Sequence, residues 1–254
     1  MKFKKAKRIK LVDENGQAWY RDGIVNADDE SEQFNTVSPD YTIVQHEEVV
    51  EKVNEALNDK NLTPDVRFRD MDNGARIRME LTFQDITLDV EDNGKQVALR
   101  CYYDNSYNGT TGLRLEVGAR SYGDSFLWFG KNYYHRHTKG VNLKELETKL
   151  ERGIHTFQEK IKKQFKGMFK TSLDVETAKD FLEKAIDDDK YKGSATYLKN
   201  IIDHLNTSSI SNKWQFYCLI CDVIGNDPKA SLPTIDRQLS LIIPRLHKLI
   251  PNKF

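Results

Sequence analysis

The sequence has few cysteines and no long apolar run, and both absences restrict the class of protein. Three cysteines stand among 254 residues, a small and odd number that favours a reducing compartment over a disulfide-stabilised secreted fold. No stretch approaches the roughly 18 consecutive apolar residues that a membrane-spanning helix requires. The basic N-terminus, MKFKKAKRIK, is not followed by the apolar segment of a secretory signal. We therefore expect a cytoplasmic protein that does not enter a membrane.

Motifs of the common enzyme classes are also missing. The chain has no glycine-rich phosphate loop ending in Lys-Ser or Lys-Thr, no G-x-G-x-x-G, no G-x-S-x-G and no H-E-x-x-H. Without a phosphate loop, an ATP-driven motor or a kinase is not expected. We predict a protein that is not an enzyme and that carries no cofactor.

The chain has no net charge, yet its basic and acidic residues are concentrated in different segments. The 39 basic residues balance the 39 acidic ones. Residues 1–10 are basic, residues 11–60 are mostly acidic, and residues 126–170 are basic again. Because an anionic ligand responds to the local potential, a neutral chain with a basic middle can bind a polyanion. Helices that carry ordinary solvated lysines give the same pattern, and both interpretations stay open here.

Strict alternation of apolar and polar residues in the middle of the chain predicts an antiparallel sheet. The segment ARIRMELTF, residues 75–83, has a period of two, which is typical of a half-buried strand. VALRCYY and LRLEVGAR repeat this pattern, and the turn sequences DNG and NSYNGTTG separate the three segments. These segments predict a β-meander of at least three strands. Before them, Asn15-Gly16 indicates a hairpin in a region that otherwise looks irregular.

Apolar residues spaced three or four apart between Leu143 and Met168 predict one long amphipathic helix. Its other faces carry lysines, and shorter helical patterns follow it. The predicted fold class is α+β, with an antiparallel β-meander followed by a long amphipathic helix and a C-terminal helical region. We place a domain boundary near residue 170, between a β-rich domain, 1–170, and a helical subdomain, 171–254.

Arginines and a tyrosine fall on the polar face of the predicted meander, and the segment WFGKNYYHRHTKG, residues 128–140, adds further rings and cations. Single-stranded nucleic acid requires cations for its phosphates and exposed rings for its bases. The alternative is that the tyrosines are interior and that the arginines pair with Glu80 and Glu116. The candidate nucleic-acid-binding residues are Arg76, Arg78, Arg100, Tyr102, Arg114, Lys131, Tyr133, Tyr134, Arg136 and Lys139.

Two histidines in the same segment raise the question of a metal site. His135 and His137 form an H-x-H, which places both rings on one face if the segment is a strand. Two ligands are only half of a zinc site, so we predict no bound metal. A metal-dependent hydrolase that uses these histidines is kept as the weakest hypothesis.

Several stretches resemble a family of phage- and plasmid-borne proteins of unknown function. They are TVSPDYTIVQHEEVVEKV, YYDNSYNGTTGLRLEVGAR, HTKG before the long helix and NKWQFYCLICDVIG, and together they extend from about Val37 to Gly225. The family often has His and Asp where this chain has Tyr107 and Asn108. Its usual cysteine-containing R-V-V-C-x-N-T-L segment appears here as ARSYGDSFLWF, without the cysteine. The resemblance implies a mobile-element origin and the cytoplasm of a bacterial host, but no activity.

These observations lead to two hypotheses of different classes. The first is an ATP-independent DNA-binding protein of a phage or plasmid that acts on single-stranded DNA in recombination or replication, by annealing, as a homo-oligomer. It shares a sheet, a long helix and basic residues with the single-strand annealing proteins of phages, at the level of architecture only. The second is a phage accessory protein that binds and inhibits a host protein such as a defence enzyme. The acidic region, residues 11–60, supports the second because it could imitate a polyanion.

Overall fold

The α+β fold class is confirmed, because the chain contains both antiparallel sheets and helices. A computed structural model describes residues 2–93, 95–120, 126–138, 141–188, 193–230 and 232–249, with the backbone alone for residues 128–132, 232–233 and 245–249.

A three-stranded antiparallel sheet forms the N-terminal region. Its strands are β1 (Ala6–Val12), β2 (Ala18–Asn26) and β3 (Gln33–Val37), in the order β1-β2-β3. The predicted hairpin at Asn15-Gly16 connects β1 and β2, and Gly16 adopts a φ of +77° there, a conformation that glycine tolerates without strain. The remainder of this region was expected to be irregular, and that expectation is wrong because β3 adds to the hairpin.

The predicted meander is confirmed and is longer than expected. A five-stranded sheet has the order β4-β5-β6-β7-β8, and β4 pairs antiparallel with β5 from Asp65 opposite Thr82 to Met71 opposite Arg76. The strands are β4 (Asp65–Met71), β5 (Arg76–Asp89), β6 (Gln96–Ser106), β7 (Leu113–Arg120) and β8 (Phe126–His135).

The sheet is buried on both faces over much of its length, which the alternation did not predict. Every residue of β5 from Arg76 to Phe83 is buried, and so is every residue of β6 from Val97 to Ser106. The polar side chains of these strands therefore lie inside the protein, where they must be satisfied by one another. The polar side of β5 and β6, which the sequence suggested as a binding face, is therefore not open to solvent over these residues.

Seven α-helices and one π-helical segment are present in the described part of the chain. Helix α1 begins with a capping box formed by Gln45 and Glu48. Asp174 caps α4 by accepting a hydrogen bond from the Thr177 backbone at 2.7 Å. The helices are α1 (His46–Asp59), α2 (Glu145–Thr156), α3 (Lys162–Lys170), α4 (Val175–Asp187), α5 (Ala195–Leu205), α6 (Lys213–Gly225) and α7 (Leu232–Leu249), and the π-helical segment is Phe157–Ile161.

The predicted long helix contains a π turn between α2 and α3. The backbone N–H of Lys162 bonds to the carbonyl of Phe157, five residues earlier, which is the π-helical pattern. The buried residues Phe157, Ile161 and Phe165 follow at intervals of four. Because an α-helix has 3.6 residues per turn, repeated steps of four drift around its axis. The wider π turn compensates for this drift and keeps the three side chains on one buried face.

The chain forms two compact units, each assembled from separate segments. Unit 1 contains residues 1–83, 101–116 and 132–153, and unit 2 contains residues 84–100, 117–131 and 154–254. Unit 1 has an apolar cluster of Ala6, Ile24, Val37 and Tyr107. In unit 2 the ring of Trp214 packs against Phe165 at 4.7 Å between centroids. Strands β5 to β8 contribute residues to both units, and the domain boundary at residue 170 stays a prediction.

Candidate functional site

Three of the predicted binding arginines converge on one buried carboxylate, which we call the arginine cluster (Arg76, Arg78 and Arg114 with Asp104). Arg78 binds Asp104 through two hydrogen bonds of 2.7 and 2.8 Å from its Nε and Nη2 atoms. The Nε atom of Arg114 donates to Asp104 at 3.0 Å, and Nη2 of Arg76 lies 3.5 Å from it. The Tyr102 ring stacks below Arg78, with 4.6 Å between Cζ and the centroid.

The electrostatics of the arginine cluster mark it as a structural element. Burial alone would raise the pKa of Asp104, but the charge and hydrogen bonds of Arg78 oppose this effect. Together with the charges of Arg114 and Arg76, they hold the pKa well below its ordinary value. The carboxylate is therefore ionised at every physiological pH. Its negative charge compensates the guanidinium groups, which would otherwise be expensive to bury.

The expected open face of arginines and a tyrosine is wrong. Arg76, Arg78, Arg100 and Tyr102 are buried, and the Arg114 side chain is only 17% exposed. The alternation in β5 to β7 correctly places arginines on one side of the sheet, but it does not show that this side is covered. Phosphates in solution cannot reach the guanidinium groups of Arg76, Arg78 and Arg100 in this arrangement. The alternative considered for the sequence, interior tyrosine and acid-paired arginine, describes these residues better.

The remaining candidate residues lie on or after β8, and they differ in exposure. Tyr134 is 56% exposed, and Arg136 is exposed as well. Tyr133 is partly buried, with the ammonium group of Lys149 at 5.1 Å from its ring centroid. The side chain of Lys131 and the whole of Lys139 lie outside the described residues.

Tyr134 and Arg136 share the wall of a cavity of about 270 Å³, which we call the β8 cavity. In the described part of the chain, no carboxylate pairs with Arg136. The loop between β6 and β7 forms another side of the cavity through Gly109, Thr111 and Gly112. Tyr41, His137 and Thr138 complete the lining.

His137 forms the most buried part of this wall. It is 4% exposed, and its ring stacks on Tyr41 with centroids 5.3 Å apart and planes inclined by 10°. Burial lowers the pKa of His137 to about 4. Its Nδ1 atom lies 3.3 Å from the carbonyl oxygen of Thr42, so this nitrogen carries the proton and donates. Its Nε2 atom is then an acceptor, and it has no hydrogen-bond partner among the described residues.

A buried polar cluster that the sequence did not reveal holds the neighbouring loop in place. Nδ2 of Asn105 donates to Nδ1 of His46 at 2.9 Å and to the Val44 carbonyl at 2.8 Å. Nε2 of His46 then donates to the carbonyl of Gly74 at 3.1 Å, which fixes a neutral imidazole. Tyr107, at the start of the loop, stacks on this ring at 3.9 Å. No local signal in the sequence indicated this cluster, because His46 and Asn105 both stand among other polar residues.

The described residues do not provide a metal site. No group of three or more His, Cys, Asp or Glu side chains in that part of the chain is placed to hold a metal ion. His135 uses its Nδ1 atom in a contact of 2.5 Å with the carbonyl of Arg136. The hydrolase hypothesis therefore has two histidines and no further ligand to complete them.

The charge segregation of the N-terminal region is partly compensated in the fold. Four acids of the acidic region form ion pairs with basic residues of the first ten positions. Residues 1–60 still contain thirteen acids against nine basic residues, so the region stays acidic. The pairs are Lys4–Glu32 and Lys7–Glu30 at 2.6 Å, Lys10–Asp22 at 2.8 Å and Lys5–Glu47 at 3.2 Å.

A second set of cations lies in and beside α3 and remains at the surface. We call Lys160, Lys162, Lys163, Lys166 and Lys170 the lysine face. Lys166 is partly buried and pairs with Asp92 at 2.6 Å. The other four are exposed, and no carboxylate among the described residues pairs with them.

Three lysines of this face act on one carboxylate. The hydrogen bond and the charge of Lys166 lower the pKa of Asp92, and the charges of Lys170 and Lys162 lower it further. These three residues follow at intervals of four, the spacing of one side of a helix. One carboxylate faces three lysines, so the local charge is positive.

Comparison with known proteins does not assign the chain to a family. No family model, no curated protein and no solved structure matches the chain. Among the described residues, no helix combines the length and the apolar composition that crossing a membrane requires.

Proposed function

We propose that the protein binds single-stranded DNA without ATP and that the lysine face supplies the contacts to its phosphates. One observation carries the proposal. Five lysines and no acid lie between residues 160 and 170, and four of the five are exposed without a carboxylate partner among the described residues. Unpaired surface cations attract phosphates and release the counterions condensed on the nucleic acid.

The geometry of α3 favours an extended anion over a single charged group. Lys162, Lys166 and Lys170 follow at intervals of four residues, which corresponds to about 6 Å along the helix axis at about 1.5 Å per residue. Lysine side chains are long and flexible point charges, so they can follow an irregular chain of phosphates. A row of this kind fits a polyanion strand better than a compact ligand.

The role in annealing belongs to the same proposal. Complementary single strands repel one another through their phosphates, and bound lysines reduce that repulsion. The phage or plasmid setting, the role in recombination or replication and the homo-oligomer are proposed on the resemblance and the architecture of the sequence alone.

Fluorescence anisotropy with a labelled single-stranded oligonucleotide tests the proposal. If all five lysines contact phosphates, the logarithm of the affinity should fall with the logarithm of salt concentration with a slope of about −3.5. The variant Lys162→Gln/Lys163→Gln/Lys170→Gln should make this dependence less steep, with a slope of about −1.4, because two lysines remain. Absence of binding at low salt would overturn the proposal.

A matched control separates the lysine face from net charge. Lys184, Lys199 and Lys229 are exposed lysines of the same unit, and changing all three to Gln removes the same charge elsewhere. This control should bind DNA as the unmodified protein does. Equal losses in the two triple variants would mean that binding depends on total charge and not on α3.

A protein partner is the second candidate, and one observation favours it. The tip of the β1–β2 hairpin exposes Val12, Trp19 and Tyr20 by 63%, 45% and 69%, and exposed apolar groups are typical of interaction sites. Capture of a bacterial host protein after nuclease treatment should then depend on the hairpin. Loss of capture in Trp19→Ser/Tyr20→Ser, with capture intact in the lysine triple variant, would support this function. The reverse pattern would reject it.

A further inference from the structure

The β8 cavity combines a ring, a cation and a buried acceptor in one small space. Tyr134 presents a ring that is 56% exposed. Arg136 has no carboxylate partner among the described residues, so its guanidinium group is available to an anion. His137 is buried beside them with an acceptor nitrogen that no described residue satisfies. Because this nitrogen has almost no accessible surface, the Tyr134 ring and the Arg136 guanidinium group are the parts of the wall that a ligand can contact.

Glycines at two positions of the loop between β6 and β7 allow the backbone to lie close to its neighbours beside the cavity. A Cβ atom on Gly112 would lie 2.3 Å from the carbonyl oxygen of His135, which real contacts do not allow. Gly109 has a φ of +71°, in the left-handed region that favours glycine. The loop backbone therefore reaches β8 directly, and no side chain at these two positions occupies the space.

The backbone of the loop does not supply the usual cradle for a phosphate. The N–H of Thr110 donates to the Asn108 side chain at 3.1 Å, and the N–H of Thr111 donates to Ser106 Oγ at 3.2 Å. Both donors are thus occupied by the loop itself. Recognition of an anion in this cavity depends on Arg136.

We propose that the β8 cavity binds one nucleotide, with the base against the Tyr134 ring and the phosphate on Arg136. Planar rings stack on exposed aromatic side chains, and a guanidinium group binds phosphate through charge-assisted hydrogen bonds. The volume of about 270 Å³ lies just below the usual range for drug-sized ligands, so the cavity suits a single base. The inference rests on the proposed function, the binding of single-stranded DNA, and adds a site for a single base.

Photo-crosslinking tests this placement independently of affinity. A single-stranded oligonucleotide containing 5-iododeoxyuridine is irradiated with the full-length protein, and the linked peptide is identified by mass spectrometry. The expected linkage is to Tyr134 or His137. Linkage only to residues outside the cavity, in a complex that does bind, would overturn the inference.

A pair of matched variants gives the second readout. Tyr134→Ala/Arg136→Gln should weaken oligonucleotide binding roughly fivefold or more, because a base–ring stack and a phosphate contact are lost. Tyr20→Ala/Arg21→Gln removes another exposed tyrosine and its neighbouring arginine, which lie 5.5 Å apart, and should leave the affinity unchanged. If the cavity variant binds as tightly as this control, the cavity does not hold a base.

The outcomes distinguish this inference from the proposed function. If the unmodified protein does not bind DNA, both the proposed function and the cavity site are wrong. If binding is salt-dependent and is lost in the lysine triple variant but unaffected in the cavity variant, only the cavity site is wrong.

Titration with thymidine monophosphate then shows whether the cavity binds a free nucleotide or a nucleotide within a strand. Binding of the free nucleotide that Tyr134→Ala/Arg136→Gln abolishes supports a site for free nucleotides, and crosslinking of the oligonucleotide without such binding supports a site for a strand.

Discussion

The arginine cluster and the lysine face are both sets of cations at regular intervals, and the structure gives them opposite roles. The arginines stand on neighbouring strands, where β6 brings Asp104 between them. The lysines stand on a helix whose sequence from 160 to 170 contains no acid. A cation is therefore structural or available according to the acids that the fold places beside it. Spacing along the sequence does not reveal that difference.

The largest expected effect is at the centre of the arginine cluster. Asp104→Asn keeps the shape of the side chain but leaves the buried guanidinium groups without their compensating charge. We expect the free energy of unfolding to fall by about 3–5 kcal/mol, measured by urea denaturation. Glu30→Gln, which breaks the more exposed pair with Lys7, should change it by less than about 1 kcal/mol. Equal effects of the two substitutions would show that the arginine cluster is not the structural element inferred here.

Acid provides an effect of comparable size and requires no substitution. Burial lowers the pKa of both His46 and His137 to about 4, whereas the unfolded chain binds these protons near pH 6.5. Between these values the unfolded state holds more protons, so stability is complete above pH 6.5 and is lost as the pH falls towards 4. Each histidine contributes up to roughly 3 kcal/mol. Urea denaturation at pH 7 and pH 4.5 measures the loss, and His137→Phe should reduce the pH dependence.

A smaller difference in the free energy of unfolding is expected between variants of two arginines in the same cluster. Both arginines donate two hydrogen bonds to Asp104. Arg78 is only 1% exposed, whereas Arg114 is 17% exposed and retains access to water. We expect Arg78→Gln to lower the free energy of unfolding by about 3 kcal/mol and Arg114→Gln by about 1 kcal/mol. Urea denaturation of the two variants in parallel tests the order, and a reversed order would contradict the assignment of Arg78 as the main partner.

The smallest effect on stability is expected at the lysine face. The variant Lys162→Gln/Lys163→Gln/Lys170→Gln changes exposed side chains that pair with no described carboxylate. It should alter the free energy of unfolding by less than about 1 kcal/mol, while DNA affinity falls. A large loss of stability together with the loss of binding would show that these lysines are structural after all.

Local pattern was sufficient to predict strands β5 to β7 and the helical segment after Leu143, but it did not predict β3 or β4. The alternation in β5 to β7 and the apolar spacing after Leu143 were both confirmed, because each pattern reflects a single element. The pairing of Arg78 with Asp104 was not predictable, since it joins residues 26 positions apart and depends on the register of two strands. Tyr134 and Arg136 were identified from composition alone. Their shared cavity depends on Tyr41 and a loop far away in sequence, and no local pattern indicates it.

The π turn at Phe157–Ile161 holds one residue more than an ordinary helical turn, so this segment can lose a residue without turning the helix that follows. If one exposed residue, such as Gln158, were removed, the N–H of Lys162 would still bond to the carbonyl of Phe157, now four residues earlier as in an ordinary α-helix. The residues from Lys162 onward would therefore keep their orientation relative to Phe157. DNA affinity should change little on this deletion, and a large loss would mean that the orientation of α3 depends on the extra residue.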